Sequence, residues 1–249
     1  MKILSIVLLL LWLGLLFYVV RRSKNQYEYF KSLTSTVERQ RVYKKMVIGS
    51  FLFYGIGSII TLIIIGKLNV IFRTDSQLIS SLSMGESVKK EINGELKFIG
   101  VIVAIEIPLI YLFTRLKVKK RKRSVKLPTI GDVNALIPKN KAERKIGVII
   151  SANAGLSEEI FFRAMLPLLF YYSIGNAYLS VALSCLIFGL VHWYQKWKGI
   201  LVTGILGVIQ TCIYVFTGQL WIAILIHIFI DLNAFVFRPM TSTYKPKTT

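Results

Sequence analysis

The stretch GLSEEIFFRAML (155–166) sets Glu158, Glu159 and Arg163 inside a run that is otherwise apolar. The chain has two histidines, and both fall in similar settings: His192 in FGLVHW (188–193) and His227 in LIHIFIDLN (225–233), with Asp231 four residues on. Ionisable side chains in apolar spans are costly and mark functional sites by default. Glu159 and Arg163 are one helical turn apart, so they share a face and can pair. Glu158 projects about 100° away and keeps no such partner. His227 and Asp231 share a face by the same spacing. A carboxylate screened from bulk water can serve as a general base toward water. An imidazole can share that water, donate to a developing oxyanion, or bind a metal. There is no G-x-S-x-G, no H-E-x-x-H and no cysteine beside a base, so the usual hydrolase signatures are missing. Water activated by carboxylate and histidine remains. Cys185 and Cys212 both lie in apolar runs and read as small packed hydrophobes, with no metal or disulfide spacing.

These side chains need apolar helices to carry them. Of the 249 residues, 54% are hydrophobic and the mean hydropathy is +0.60, more apolar than a soluble domain allows. The pattern predicts an all-α, polytopic helical membrane protein of about seven transmembrane helices. The spans are Ile3 to Val20, Met46 to Gly66, Phe98 to Phe113, Ile146 to Tyr172, Tyr178 to Trp193, Ile200 to Phe216 and Leu220 to Phe237. Residues 1–145 hold the N-terminal spans and basic loops, 146–237 the core with the candidate site, and 238–249 a basic tail. The first span is followed by Arg21, Arg22 and Lys24 and has no small-residue cleavage site, so it reads as a retained anchor.

The net charge of +20 is concentrated in the loops 21–45 and 115–145 and in the tail. Positive-inside bias puts these in the cytoplasm, with the N-terminus outside and the C-terminus cytoplasmic. The basic loops, RLKVKKRKRSVK (115–126) above all, suit anionic lipid head groups rather than nucleic acid. The fourth span is about 27 residues, roughly 40 Å as a helix, against a hydrocarbon core of about 30 Å. A break at Ala154 to Ser157 with Ser157 as N-cap would resolve the excess, and breaking the span in two would make eight. Glu158 then lies deep but nearer the cytosol. His192, one helical turn before Lys196, and the His227–Asp231 pair reach the same depth. Glu106, two residues before Pro108, reads as a partnered acid at a helix kink, and Gly199, Gly204 and Gly207 as helix-packing positions.

The motifs E-E-x-x-x-R (158–163), F-x-x-x-H (188–192) and H-x-x-x-D (227–231) occur in this order on separate spans. Together they resemble the CAAX protease and bacteriocin-processing family, the type II CAAX prenyl endopeptidases and their bacterial relatives, also called Abi. The resemblance covers about Ile146 to Phe237. It implies a helical intramembrane endopeptidase of a bacterial cell membrane. In it Glu158 and His192 hold the attacking water, while His227 and the residue four later form the oxyanion site. The candidate catalytic set is therefore Glu158, Glu159, His192, His227 and Asp231, with Arg163 and Phe188 as structural support. The CAAX enzymes typically have asparagine where this chain has Asp231. An ionised carboxylate would repel an oxyanion, so Asp231 must be protonated, orient His227 or help bind a metal. A glutamate-dependent mechanism needs no cofactor; His192 and His227 with Glu158 or Asp231 would otherwise make a zinc set. The implied substrate is a membrane-associated peptide or protein, such as a bacteriocin or signalling-peptide precursor or a leader sequence, and a prenylated protein only where the host prenylates. The alternative is an immunity or peptide-binding scaffold that keeps the constellation without catalysis.

Overall fold

A computed structural model describes residues 1–82 and 132–237, and among these there is no strand. The expected third span, Glu106, the basic run 115–126 and the tail lie outside the described residues. The chain begins with α1 (Lys2–Ser32) and, after a short turn, α2 (Thr36–Ser50). The latter passes through a π-helical turn (Phe51–Ile56) into α3 (Gly57–Ile64). The short α4 (Ser76–Ser81) follows. Beyond residue 132 come α5 (Lys141–Glu159), a second π-helical turn (Ile160–Met165) and α6 (Leu166–Ile174). The last helices are α7 (Ala177–Leu190), α8 (Lys196–Thr217) and α9 (Leu220–Leu232), and a π-helical turn (Asn233–Phe237) ends the described chain.

Six of the seven expected spans are thus helical. Among the described residues, four helical stretches are long and apolar enough to cross a membrane: Lys2–Ser32, Thr36–Ile64, Trp193–Thr217 and Leu220–Phe237. The α5–α6 stretch carries the buried charges, and α7 is a shorter apolar helix. The expected loop 21–45 is largely helix, because its lysines, arginines and glutamates are good helix formers. Leaving the apolar zone does not end a helix. Glycine in the left-handed region does: Gly175 (φ +82°) stops α6 and Gly218 (φ +69°) stops α8. Immediately after Gly175, the Asn176 side chain accepts from the Leu179 amide at 3.0 Å and starts α7.

The stretch from the second π turn into α6 is the centre of the bundle. Phe161, Phe162, Met165, Leu166, Leu168 and Leu169 are all buried there. Around them pack Trp12 of α1, whose indole donates to Thr61 Oγ1 at 3.0 Å, and Phe53 and Phe161, each 5.1 Å from the Trp12 ring. Outward-facing side chains such as Leu10, Leu11, Ile63, Ile205 and Val208 are apolar, as a bundle in lipid requires. Cys185 is buried against Thr211, but Cys212 faces outward, contrary to its expected packing, because neighbouring helix positions point about 100° apart. A buried ion pair absent from the sequence reading joins α2 to α5: Arg39 Nε lies 3.2 Å from Glu143 Oε2. Arg39 Nη2 also donates to the Ala135 and Ile137 carbonyls, fastening the segment before α5 to α2.

Candidate active site

The expected break at Ala154 to Ser157 does not occur. From Lys141 to Ile174 the chain stays helical, and Ser157 is no N-cap; its hydroxyl donates back to the Asn153 carbonyl at 2.7 Å. The discontinuity comes later, as the π turn that carries Arg163. Pro167 has no N–H to give to the preceding turn, and the Phe162 carbonyl in that turn is met from α7 by Ser184 Oγ at 2.6 Å. Single π turns of this kind occur often at functional sites. Gly155 packs rather than breaks. A Cβ there would lie 2.5 Å from Ile228 Cγ1, 2.9 Å from the Ile228 nitrogen and 3.0 Å from the Ile224 oxygen. Its missing side chain lets α5 and α9 meet backbone to backbone and sets the two glutamates beside His227 and Asp231. Gly155→Ala is expected to force these helices apart, costing about 1–3 kcal/mol, with a lower melting temperature in detergent as the readout. An unchanged melting temperature would mean that the interface has room to spare.

One cavity of about 350 Å³ is lined by Glu158, Arg163, Phe188, His192, His227 and Asp231. Four of the five candidate catalytic residues therefore face a common space. Glu159 stands behind it, fully buried. Its Oε1 accepts from His227 Nδ1 at 2.6 Å, and its Oε2 lies 3.0 Å from Arg163 Nε. The arginine contact is an ion pair by distance without hydrogen-bond alignment, and the Arg163 nitrogens have no hydrogen-bond partner. The guanidinium instead lies over the Phe188 ring, 4.1 Å from its centre. That ring also meets His192 at 5.1 Å and His227 at 6.2 Å, so Phe188 joins the arginine to both imidazoles. A Cβ on Gly207 would reach within 2.8 Å of the same ring, which makes this glycine a packing position as expected.

His192 is not on a helix, as the sequence suggested. α7 ends at Leu190 and His192 lies in the turn before a 3₁₀ segment, Trp193–Gln195, because the tight turn from α7 into α8 comes first. Its Nδ1 is 2.9 Å from the Phe188 carbonyl. A carbonyl only accepts, so Nδ1 carries the hydrogen, and the Nε2 of a neutral ring is left as an acceptor. The His227–Asp231 pair is looser than its spacing promised, with Nε2 to Oδ2 at 4.0 Å. Glu158 makes no ion pair among the described residues and is only partly buried. The two adjacent glutamates differ accordingly: Glu159 is committed to Arg163 and His227, while Glu158 is free to hold a small molecule. Among the described residues no three histidine, cysteine or carboxylate side chains converge as metal ligands.

One cavity residue, Tyr194, is tied to a polar cluster outside the cavity. Tyr194 lines the cavity, its ring 6.1 Å from His192 and 5.4 Å from Tyr27. The Tyr27 hydroxyl donates to Asp132 Oδ1 at 3.0 Å, and Lys196 Nζ is 3.3 Å from Asp132 Oδ2. Burial alone would push the Asp132 carboxyl up, but the Tyr27 hydrogen bond, Lys196 and Lys31 hold it below the usual range. The visible signal for Tyr194 and this cluster was the polar, aromatic run WYQKWK directly after His192.

Residues 143–233 match the protein-family model described as type II CAAX prenyl endopeptidase Rce1-like, an interval that contains all three motifs. No curated protein and no solved structure matches the chain.

Proposed function

Because this integral membrane protein carries a type II CAAX prenyl endopeptidase-like domain, we propose that it hydrolyses a peptide bond of a membrane-associated peptide or protein, using water held by Glu158 and His192. The observation that carries this reading is the shared cavity, in which an uncommitted glutamate faces a histidine whose Nε2 is an acceptor. Glu158 takes one proton from the water as its oxygen attacks the scissile carbonyl carbon, and His192 Nε2 accepts the other water hydrogen and orients the molecule. The carbonyl π pair becomes an oxyanion that accepts from protonated Asp231 and from the Nε2–H of His227, which acts as an imidazolium with its Nδ1–H given to Glu159. Glu158 then delivers its proton to the amide nitrogen as the C–N bond breaks, leaving a carboxylic acid and an amine. Glu159 keeps His227 oriented, and Arg163 balances the Glu159 charge. The reading needs no cofactor. It is tested by reconstituting the protein in vesicles with a panel of membrane-anchored peptides; intact peptides that are bound but never cut would favour a peptide-binding scaffold.

Asp231 acts here as a protonated donor. Asparagine donates without needing a proton, so Asp231→Asn is expected to stay within about 10-fold of wild-type activity, whereas Asp231→Ala should lose on the order of 10²-fold. Metal analysis of the purified active protein should find well below one ion per chain. An inactive Asp231→Asn variant together with stoichiometric zinc would reverse the assignment, since a ligand must be ionised.

The same reading places the N-terminus outside and the basic segments in the cytoplasm. Single cysteines at Ser83 and Ser124, in a background without Cys185 and Cys212, are expected to label from opposite sides of the membrane. Labelling from one side would sink this orientation.

A further inference from the structure

A second cavity, of about 550 Å³, lies between the C-terminal part of α1 and one side of α2, from Glu38 to Met46. Its floor is apolar and aromatic, with Tyr27 and Phe30 buried in it. Around it stand the exposed side chains of Arg22, Arg41 and Lys45, with Glu38 as the acid among them. None of the three cations pairs with a carboxylate among the described residues; Arg22 donates only to the Tyr18 hydroxyl, at 2.9 Å. Met46, Leu136 and Tyr194 line both this groove and the cavity that holds Glu158 and His192, so the two share a wall. A chain lying across that wall keeps one peptide bond at Glu158 and its flanking residues among the cations.

We propose that this groove binds the acidic flank of the substrate, one or more aspartate or glutamate side chains within a few residues of the bond to be cut. This deepens the endopeptidase reading and rests on it. The excess of unpaired positive charge selects a carboxylate partner, and the apolar floor accommodates the intervening side chains. The shared wall favours the substrate over a lipid head group, which has no need to reach the catalytic cavity.

The test uses two myristoylated, C-terminally amidated peptides that differ only by an Asp-Glu pair against an Asn-Gln pair. Amidation removes the terminal carboxylate as a source of binding. Binding to the full-length protein in phosphatidylcholine vesicles is read by fluorescence anisotropy, and cleavage is followed in parallel. The acidic peptide is expected to bind about 10-fold more tightly, with the advantage shrinking as salt is raised. The double variant Arg41→Glu, Lys45→Glu should remove the preference, and Arg41→Gln should weaken it; both sites are exposed, so folding should persist. Equal binding of the two peptides to the wild type overturns the proposal. So does a charge-reversal effect that appears only with anionic lipid in the vesicles, whatever the peptide. A binding preference without cleavage counts against the endopeptidase reading and leaves the acidic-flank site supported.

Discussion

Glu158→Gln is expected to lower peptide cleavage by at least about 10²-fold, the scale of losing a positioned general base, while yield, membrane insertion and thermal melting stay at wild-type levels. The separation of activity from stability follows from the surroundings of the side chain. Glu158 makes no ion pair among the described residues, and it faces a cavity rather than a packed neighbour. Glutamine keeps its shape and can hold water, but it cannot take the proton. His192→Ala should act similarly, because it removes the Nε2 acceptor and leaves only the turn after α7 to adjust. The measurement is single-turnover cleavage in vesicles beside a melting curve of the same preparation. Wild-type rates in Glu158→Gln would remove it from the mechanism and favour the scaffold reading.

Arg163→Ala should do the opposite and strike stability first. The arginine is 2% exposed and Glu159 is 0% exposed, with 3.0 Å between Nε and Oε2. Removing one partner of a buried pair leaves the other charge without compensation, which costs about 3–5 kcal/mol. The loss also takes the guanidinium off the Phe188 ring, the ring that touches both histidines. Folded yield and melting temperature should fall together, and activity should fall with them. Arg163→Lys is expected to recover part of the stability only, because a compact ammonium supplies the charge without the plane that lies over Phe188. A melting curve for Arg163→Ala that matches the wild type would show that the pair contributes little, and that Glu159 is balanced by His227 alone.

Periodicity and cost made much of this molecule legible in advance. Apolar runs long enough to cross a bilayer can hardly be anything but helices, since a bare backbone in lipid must satisfy its own hydrogen bonds. Charges in such runs need one another, so Glu158, Glu159, Arg163, His192, His227 and Asp231 stood out before any fold was known. The i, i+4 spacing of Glu159 and Arg163 was sufficient to pair them, because that contact is made within one helix. Contacts between helices had no such local signature. Nothing in the spacing says that Glu159 also receives His227, that Phe188 links Arg163 to both imidazoles, or that Tyr194 lines the cavity beside His192. Gly155 looked like a helix breaker, and it proved to be a position where the α9 backbone packs directly against α5. The basic stretch after Val20 looked like a loop because it leaves the apolar zone, yet its residues favour helix, and Arg39 is buried because Glu143 arrives from more than a hundred residues away. The sequence by itself determined the helices and the cost of the charges inside them, because both arise within a few residues of chain. Which glutamate is held and which is free was decided only by the tertiary structure, because it depends on which side chains of other helices reach each carboxylate first.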